Sequence, residues 1–124
     1  MISILKLTTG IEIVGEVEID QDDIVVINKP LQINYRYYQG AVPSVSFIRY
    51  IMFGQSESII FQKKDVMHTL IARDAFAFYY TGVVEQYYHE LDKMIDKELM
   101  DTATTEQQYE SILARMTIDG ATVN

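Results

Sequence analysis

The chain has 124 residues, of which 48% are hydrophobic and 23% charged, a composition typical of one globular domain and not of a disordered chain. It contains no cysteine, which excludes a disulfide framework and a thiolate metal site. The net charge is −8: residues 1–72 hold six Lys or Arg and eight Asp or Glu, whereas residues 73–124 hold four and ten. Because an acidic protein repels phosphate backbones at long range, this balance argues against broad, sequence-independent binding to nucleic acids.

The N-terminal sequence has no basic region followed by a long apolar run, so it does not resemble a signal peptide. No apolar stretch approaches the roughly 20 residues that a membrane span needs. We therefore expect a soluble protein that works in the cytoplasm and has no membrane partner.

Short runs of alternating polar and apolar residues, the period of β-strands, occupy the N-terminal part of the chain. Ile2–Leu7 precedes a turn at residues 8–10, and residues 11–20 then place one apolar and one mostly acidic face on a strand. Gly15 lies on the apolar face at mid-strand, where a missing side chain lets a strand bend or another backbone approach. A small sheet needs such a bend to curl into a barrel.

Further strand-like segments follow an acidic turn. Proline at position 30 interrupts the first of them, because proline cannot donate to a hydrogen-bonded ladder. These segments cover residues 24–28, 31–38, 45–53, 58–62 and 66–72. We therefore expect a mainly β fold, with a strongly bent five-stranded antiparallel barrel over residues 1–72.

The hydrophobic period changes from two to that of a helix after the last strand. The spacing predicts an amphipathic α-helix that Asp74 caps, and a second short helix could follow it as far as Met116. Residues 73–124 are expected to form a helical extension of a single domain, packed on the barrel or on a neighbouring subunit. The apolar helical positions are Phe76, Tyr80, Val83, Val84, Tyr87, Tyr88, Leu91, Met94, Ile95 and Leu99.

The glycine spacing of the N-terminal half resembles the first motif of the Sm and Sm-like family. An apolar strand leads to Gly10, and Gly15 follows five positions later, before an apolar Val17, an acidic turn and another apolar strand. The Lys-Lys-Asp-Val turn at residues 63–66 is placed as in the family's second motif, and the layout is also similar to small Sm-like proteins encoded by marine bacteriophages. The resemblance implies that Gly10 makes the first hairpin and that Gly15 bends the second strand.

The resemblance also implies a ring of identical subunits, because Sm-like proteins join the edge strand of one subunit to that of the next. Sm proteins bind a base between a stacking residue followed by Asn in one loop and an Arg-Gly pair in another. Here Ile24–Val26 stand at the first position, and Gln62 and Lys63 at the second. We therefore expect the fold and the ring without the family's standard RNA pocket.

Aromatic and basic residues in two segments are candidates for contacting nucleic acid, because bases stack on rings and cations meet phosphates. The candidates are Lys29, Tyr35, Arg36, Tyr38, Lys63 and Lys64. The alternative is structural: alternation would send Tyr35 and Tyr37 to the core, and the two turn lysines would be ordinary solvated residues.

No catalytic constellation is visible, since the chain lacks a phosphate-cradling glycine loop and an activated nucleophile. The acidic turn at residues 20–23 lacks the EF-hand spacing, and His89 lacks the second histidine of a zinc-protease helix. We expect no enzyme, no metal and no cofactor.

The leading hypothesis is a non-enzymatic, ring-forming Sm-like protein that binds RNA or single-stranded nucleic acid. The alternative is an oligomeric structural or adaptor protein that keeps the ring and has lost RNA binding.

Overall fold

A computed structural model describes residues 1–102 and residue 110. Within this range the protein is mainly β, with one antiparallel sheet followed by a helix. The strands are β1 (Ile2–Leu7), β2 (Glu12–Asp20), β3 (Ile24–Arg36), β4 (Ser44–Arg49), β5 (Ser58–Gln62) and β6 (Val66–Ile71). A 3₁₀ turn at Lys63–Asp65 joins β5 to β6, and the helix α1 spans Asp74–Glu85.

β3 organises the sheet, because its two halves pair with different strands. Its first half pairs with β5 and its second half with β4, while the remaining order is β3, β2, β1 and β6. The predicted bent antiparallel fold is confirmed, with six strands in place of the predicted five. Within residues 1–102 the sheet does not close, since β5 and β6 are not paired with each other.

The sheet bends where Gly15 of β2 faces Lys29 and Pro30 of β3, so that two residues lie opposite one. Lys29 has a φ of 50°, in the left-handed region that residues with side chains rarely adopt. Gly15 is buried, and a Cβ atom added to it would meet the side chain of Ile27 and lie 3.0 Å from the backbone oxygen of Asn28. Gly15 therefore provides the space in which β3 crosses β2 closely.

An apolar cluster lies on each face of the sheet. Ile13 and Val14 are adjacent in β2 and belong to different clusters, as expected for a strand with both faces covered. The bulge in β3 divides that strand in the same way, with Val25 and Ile27 in one cluster and the residues after the bulge in the other. The first cluster comprises Leu5, Leu7, Ile13, Val25, Ile27 and Phe61, and the second comprises Val14, Leu31, Ile33, Phe47, Tyr80, Val84 and Tyr88.

The chain forms two compact units, Met1–Tyr88 and one that begins at His89. In the first unit, α1 places Tyr80 and Val84 on the sheet, and Tyr88, in the helical turn after α1, continues the spacing of four residues, which confirms the predicted amphipathic helix. Arg73 occupies the N-cap position that the sequence assigned to Asp74. Asp74 is the first helical residue, where the helix dipole favours an anion.

The helical conformation continues past α1. A π-helical turn spans Gln86–Glu90, and residues 91–102 are helical. In the described residues, no helix combines the length and apolarity that crossing a bilayer requires. The predicted second helix, which would extend to Met116, lies outside the described residues.

Candidate interaction surfaces

Three strands have a single hydrogen-bonded neighbour in the part of the chain that the structure describes. β4 and β5 each pair only with β3, and β6 pairs only with β1. One side of each of these strands therefore presents backbone N–H and C=O groups that another strand could pair with.

β5 and β6 lack the features with which soluble proteins usually protect a sheet edge. Neither strand contains proline, lysine, arginine, aspartate or glutamate. Their exposed side chains include Ile60, which is 62% exposed, and Leu70 and Ile71, which are 66% and 69% exposed. An apolar, uncharged edge of this kind is a candidate surface for contact with another chain.

An apolar cavity of about 420 Å³ opens beside β5, where the sheet does not close. It lies between β5, the turn after β1 and the first residues of the segment 50–57. The apolar part of its lining consists of Leu7, Tyr50, Ile51, Ile59, Ile60 and Phe61. The cavity therefore extends the apolar surface of the β5 edge towards the sheet interior.

The turn after β5, which carries Lys63 and Lys64, lies beside the acidic turn before β3. The backbone N–H of Lys63 donates to the backbone oxygen of Asp23 at 2.9 Å, and both turns line a shallow pocket. The Lys63 Nζ lies 2.5 Å from a carboxylate oxygen of Asp20. Lys64 is exposed at the same turn. The pocket thus mixes carboxylates with lysines, and Lys63 is already next to an anion.

Lys29 lies against the helix. Its Nζ is 2.7 Å from a carboxylate oxygen of Glu85, and this hydrogen bond raises the pKa of Lys29, while partial burial opposes the shift. The hydroxyl of Tyr80 donates to the backbone oxygen of Lys29 at 2.7 Å, and that of Tyr88 donates to the backbone oxygen of Pro30 at 2.6 Å. These contacts tie α1 and the π-helical turn to the bulge of β3. Lys29 therefore has a structural contact where the sequence suggested a phosphate contact.

The tyrosines at the end of β3 are exposed. The expectation that alternation buries Tyr35 and Tyr37 is wrong, since Tyr37 is 76% exposed and Tyr35 is 38% exposed. The reason is that all residues from 34 to 40 lie beyond the apolar cluster under α1. The rings of Tyr35 and Tyr37 stack with their centroids 6.0 Å apart, and the Tyr35 hydroxyl donates to Glu12 at 2.8 Å. Arg36 and Tyr38 are exposed beside them.

Arg49 has a buried role that its position in the sequence did not indicate. Its Nη2 donates to the backbone oxygens of Gly54 and Ser56 at 2.6 and 3.3 Å, and its guanidinium lies 4.5 Å from the ring centroid of Tyr88. A cation over an aromatic face is attracted by the ring's quadrupole. Arg49 thus holds the segment 50–57 and the helix together, and its charge does not form part of an exposed basic surface.

Among the described residues, no group of three or more His, Asp or Glu side chains is arranged to hold a metal ion. No protein-family model matches the chain, and no curated protein matches it either. The features of the described residues that bear on function are two apolar strand edges, a mixed-charge pocket and a group of exposed tyrosines with Arg36.

Proposed function

We propose that the protein is a non-enzymatic, self-assembling β protein whose copies join edge to edge into a closed homo-oligomer. The observation that carries the proposal is the presence of two different uncharged apolar edges, β5 and β6, on one chain. If β5 of one copy pairs with β6 of the next, the contact repeats head to tail, and a ring results when the rotation closes. Closure covers the β5 and β6 edges of every copy.

Membership of the Sm-like family is part of this proposal. Its support is the spacing of Gly10 and Gly15, the close crossing of β3 at Gly15, and the 3₁₀ turn that leads into a last strand paired with β1. The likeness to bacteriophage proteins is likewise an inference from the sequence.

Such an assembly could serve as a structural or adaptor protein, or it could bind nucleic acid. The charges favour the structural or adaptor role, and the proposal places the protein in the cytoplasm. Two of the candidate lysines, Lys29 and Lys63, are close to Glu85 and Asp20. A phosphate would have to compete with those carboxylates, in a protein whose net charge is −8.

Nucleic-acid binding is the second candidate function, and one specific observation favours it. Tyr37 and Tyr38 present exposed rings next to the exposed guanidinium of Arg36. Rings that can stack on bases, beside a cation that can meet phosphate, are the usual elements of a single-strand surface. Lys64 would add a further exposed cation at the turn after β5.

The assembly is tested by light scattering coupled to size-exclusion chromatography at micromolar concentration. We expect a species that is a multiple of 14.3 kDa. Ile60→Lys on β5 and Leu70→Lys on β6 should each weaken assembly at least tenfold, because each places an ammonium group in an apolar contact. Val42→Lys is the matched control, since Val42 is exposed in a loop outside both strands. A 14.3 kDa species for the unchanged protein would contradict the proposal.

A further inference from the structure

The outer edge of β4 stays open in the proposed assembly. In the described residues β4 pairs only with β3, and contacts made through β5 and β6 do not cover it. Apart from the pairing with β3, no backbone hydrogen bond in this part of the chain involves residues 44–48. The outer side of β4 therefore presents backbone N–H and C=O groups that a further strand could pair with.

The helix α1 places aromatic rings beside this edge. From the centroid of the Phe47 ring in β4, the centroids of the Phe76 and Tyr79 rings lie at 5.8 and 5.4 Å. Phe47 is buried, whereas Tyr79 is 46% exposed. Tyr80 points towards the neighbouring interior strand, because its hydroxyl donates to a backbone oxygen of β3. Tyr79 therefore marks the side of α1 nearest the open edge, and an apolar groove lies between the two.

The other face of β4 is polar and lies beside one cation. Ser44 and Ser46 are exposed, on the face opposite Phe47, and Arg36 of β3 is the cross-strand partner of Ser44. Arg36 is exposed and forms no salt bridge with the described residues. Because the side chain of Ser44 is short, the long side chain of Arg36 can reach past it to a strand added beside β4.

We propose that an extended segment of a partner protein binds here as an added β-strand, antiparallel to β4. Alternate apolar side chains of the segment pack against Phe47 and Tyr79, and the side chains between them face the serines. A carboxylate opposite Ser44 pairs with the Arg36 guanidinium. In this mode of recognition main-chain hydrogen bonds supply affinity and alternate side chains supply specificity. The inference rests on the proposed assembly only in so far as that assembly leaves β4 open.

The charges at this edge favour a peptide over the other possible occupants. A single-stranded nucleic acid needs cations along its backbone, but Arg49, the other cation here, is buried against the Tyr88 ring. A second copy that offered its own β4 would bring no carboxylate for Arg36, because β4 contains none. A partner segment with an acidic residue satisfies both the open edge and Arg36.

Fluorescence anisotropy with a labelled, amidated peptide, Val-Thr-Val-Thr-Val-Glu, tests the side-chain contacts. In antiparallel register its glutamate lies opposite Ser44 and its valines lie on the face of Phe47. Tyr79→Lys should weaken binding about tenfold, because it places an ammonium group in the apolar groove. Phe78→Lys is the matched control, since Phe78 is 83% exposed in the same helix, and it should bind like the unchanged protein. Circular dichroism establishes that each variant is folded.

Charge exchange tests the pairing with Arg36. Arg36→Glu should weaken binding of this peptide roughly fivefold at low salt, and a peptide with lysine in place of the glutamate should bind that variant as well as the original pair. The reversed peptide, Glu-Val-Thr-Val-Thr-Val, should bind less well, because its carboxylate lies at the wrong end of an antiparallel strand. If the lysine peptide does not recover binding, the proposed contact with Arg36 is wrong.

Methylation of backbone nitrogens in the peptide tests the added strand itself. Successive N–H groups of a strand point to opposite edges, so methylation at the valines and methylation at the threonines block different edges. One methylated peptide should lose binding while the other keeps it. Equal affinities of the two methylated peptides would overturn the proposal, since packing without strand pairing does not distinguish the edges.

Light scattering separates this proposal from the proposed self-assembly. A monomeric protein that binds the peptide contradicts self-assembly and supports the added strand. A protein that assembles but does not bind the peptide overturns the added strand alone. If Tyr79→Lys reduces the mass of the assembly while Phe78→Lys does not, a second copy occupies the β4 edge and the proposal is also overturned.

Discussion

The hydroxyl group of a tyrosine and the ammonium group of a lysine connect the helix to the sheet at the bulge of β3. The Tyr80 hydroxyl binds the backbone oxygen of Lys29, and the Lys29 side chain reaches Glu85 in the same helix. Because the bulge interrupts the regular ladder at this point, its backbone groups are available to side chains from another element. The polar contacts therefore fix which part of the helix lies over the bend, while apolar burial supplies the attraction.

The ionisation of two tyrosines should make the fold sensitive to alkaline pH. Burial raises the pKa of Tyr80 above the ordinary value of 10.0, and the partial burial of the Tyr35 hydroxyl together with its hydrogen bond to Glu12 raises the pKa of Tyr35 to about 12. Because both folded-state pKa values exceed the unfolded value, their contribution to stability is complete below about pH 10 and is lost as the pH rises through the folded values. We expect the free energy of unfolding to decrease from about pH 10 upward.

This pH dependence is measured by chemical denaturation followed by circular dichroism, with tyrosinate absorbance recorded in parallel. Tyr80→Phe cannot ionise, so it should reduce the dependence of stability on pH above about 10, even though it also lowers stability at neutral pH. Tyr38→Phe, at an exposed loop position, is the control. An unchanged pH dependence in Tyr80→Phe would refute the assignment.

At the scale of elements, β3 serves two packing environments because it contains the bulge at Lys29 and Pro30. Residues before the bulge face one apolar cluster, and residues after it face the cluster under α1. A regular 13-residue strand would keep every second side chain on the same face. The extra residue changes the face within one strand, which lets the first half pair with β5 and the second half with β4.

Two glycines should respond in opposite directions to substitution by alanine. Gly15→Ala should destabilise the fold by about 1–3 kcal/mol, because the added Cβ meets Ile27 and the backbone of β3. Gly82→Ala should stabilise it by about 0.5–1 kcal/mol, because Gly82 lies in α1 with open space around the added Cβ. The free energy of unfolding from denaturant titration measures both changes. Equal effects at the two positions would contradict the close crossing at Gly15.

For the whole molecule, the negative charge and the paired lysines limit how nucleic acid could bind. Any binding should be weak and should fall steeply with salt, because it depends on a small number of phosphate contacts. Fluorescence anisotropy with a labelled single-stranded oligonucleotide at two salt concentrations measures this. Arg36→Ala should reduce binding, whereas Lys63→Ala, which removes a lysine already next to Asp20, should change it little. Tight binding that resists salt would contradict the prediction that a small number of phosphate contacts limits the affinity.

Features that depend on neighbours along the chain are predictable from the amino-acid sequence alone. The period of two in residues 11–20 specifies a strand, because successive side chains of a strand point to opposite faces. The spacing of Tyr80, Val84 and Tyr88 specifies one buried helix face. These are short-range steric and periodic effects, so a local stretch of sequence contains them in full.

Contacts between groups that are distant in the sequence depend on the tertiary structure. Lys29 and Glu85 are 56 positions apart, and no local pattern indicates that they pair. Tyr35 and Tyr37 follow the alternation of a buried strand but lie beyond the apolar cluster, because the helix that covers β3 does not reach them. The opening between β5 and β6 likewise depends on where β3 bends and pairs. Such contacts are set by long-range packing, in which one residue's surroundings are supplied by segments far away in the sequence.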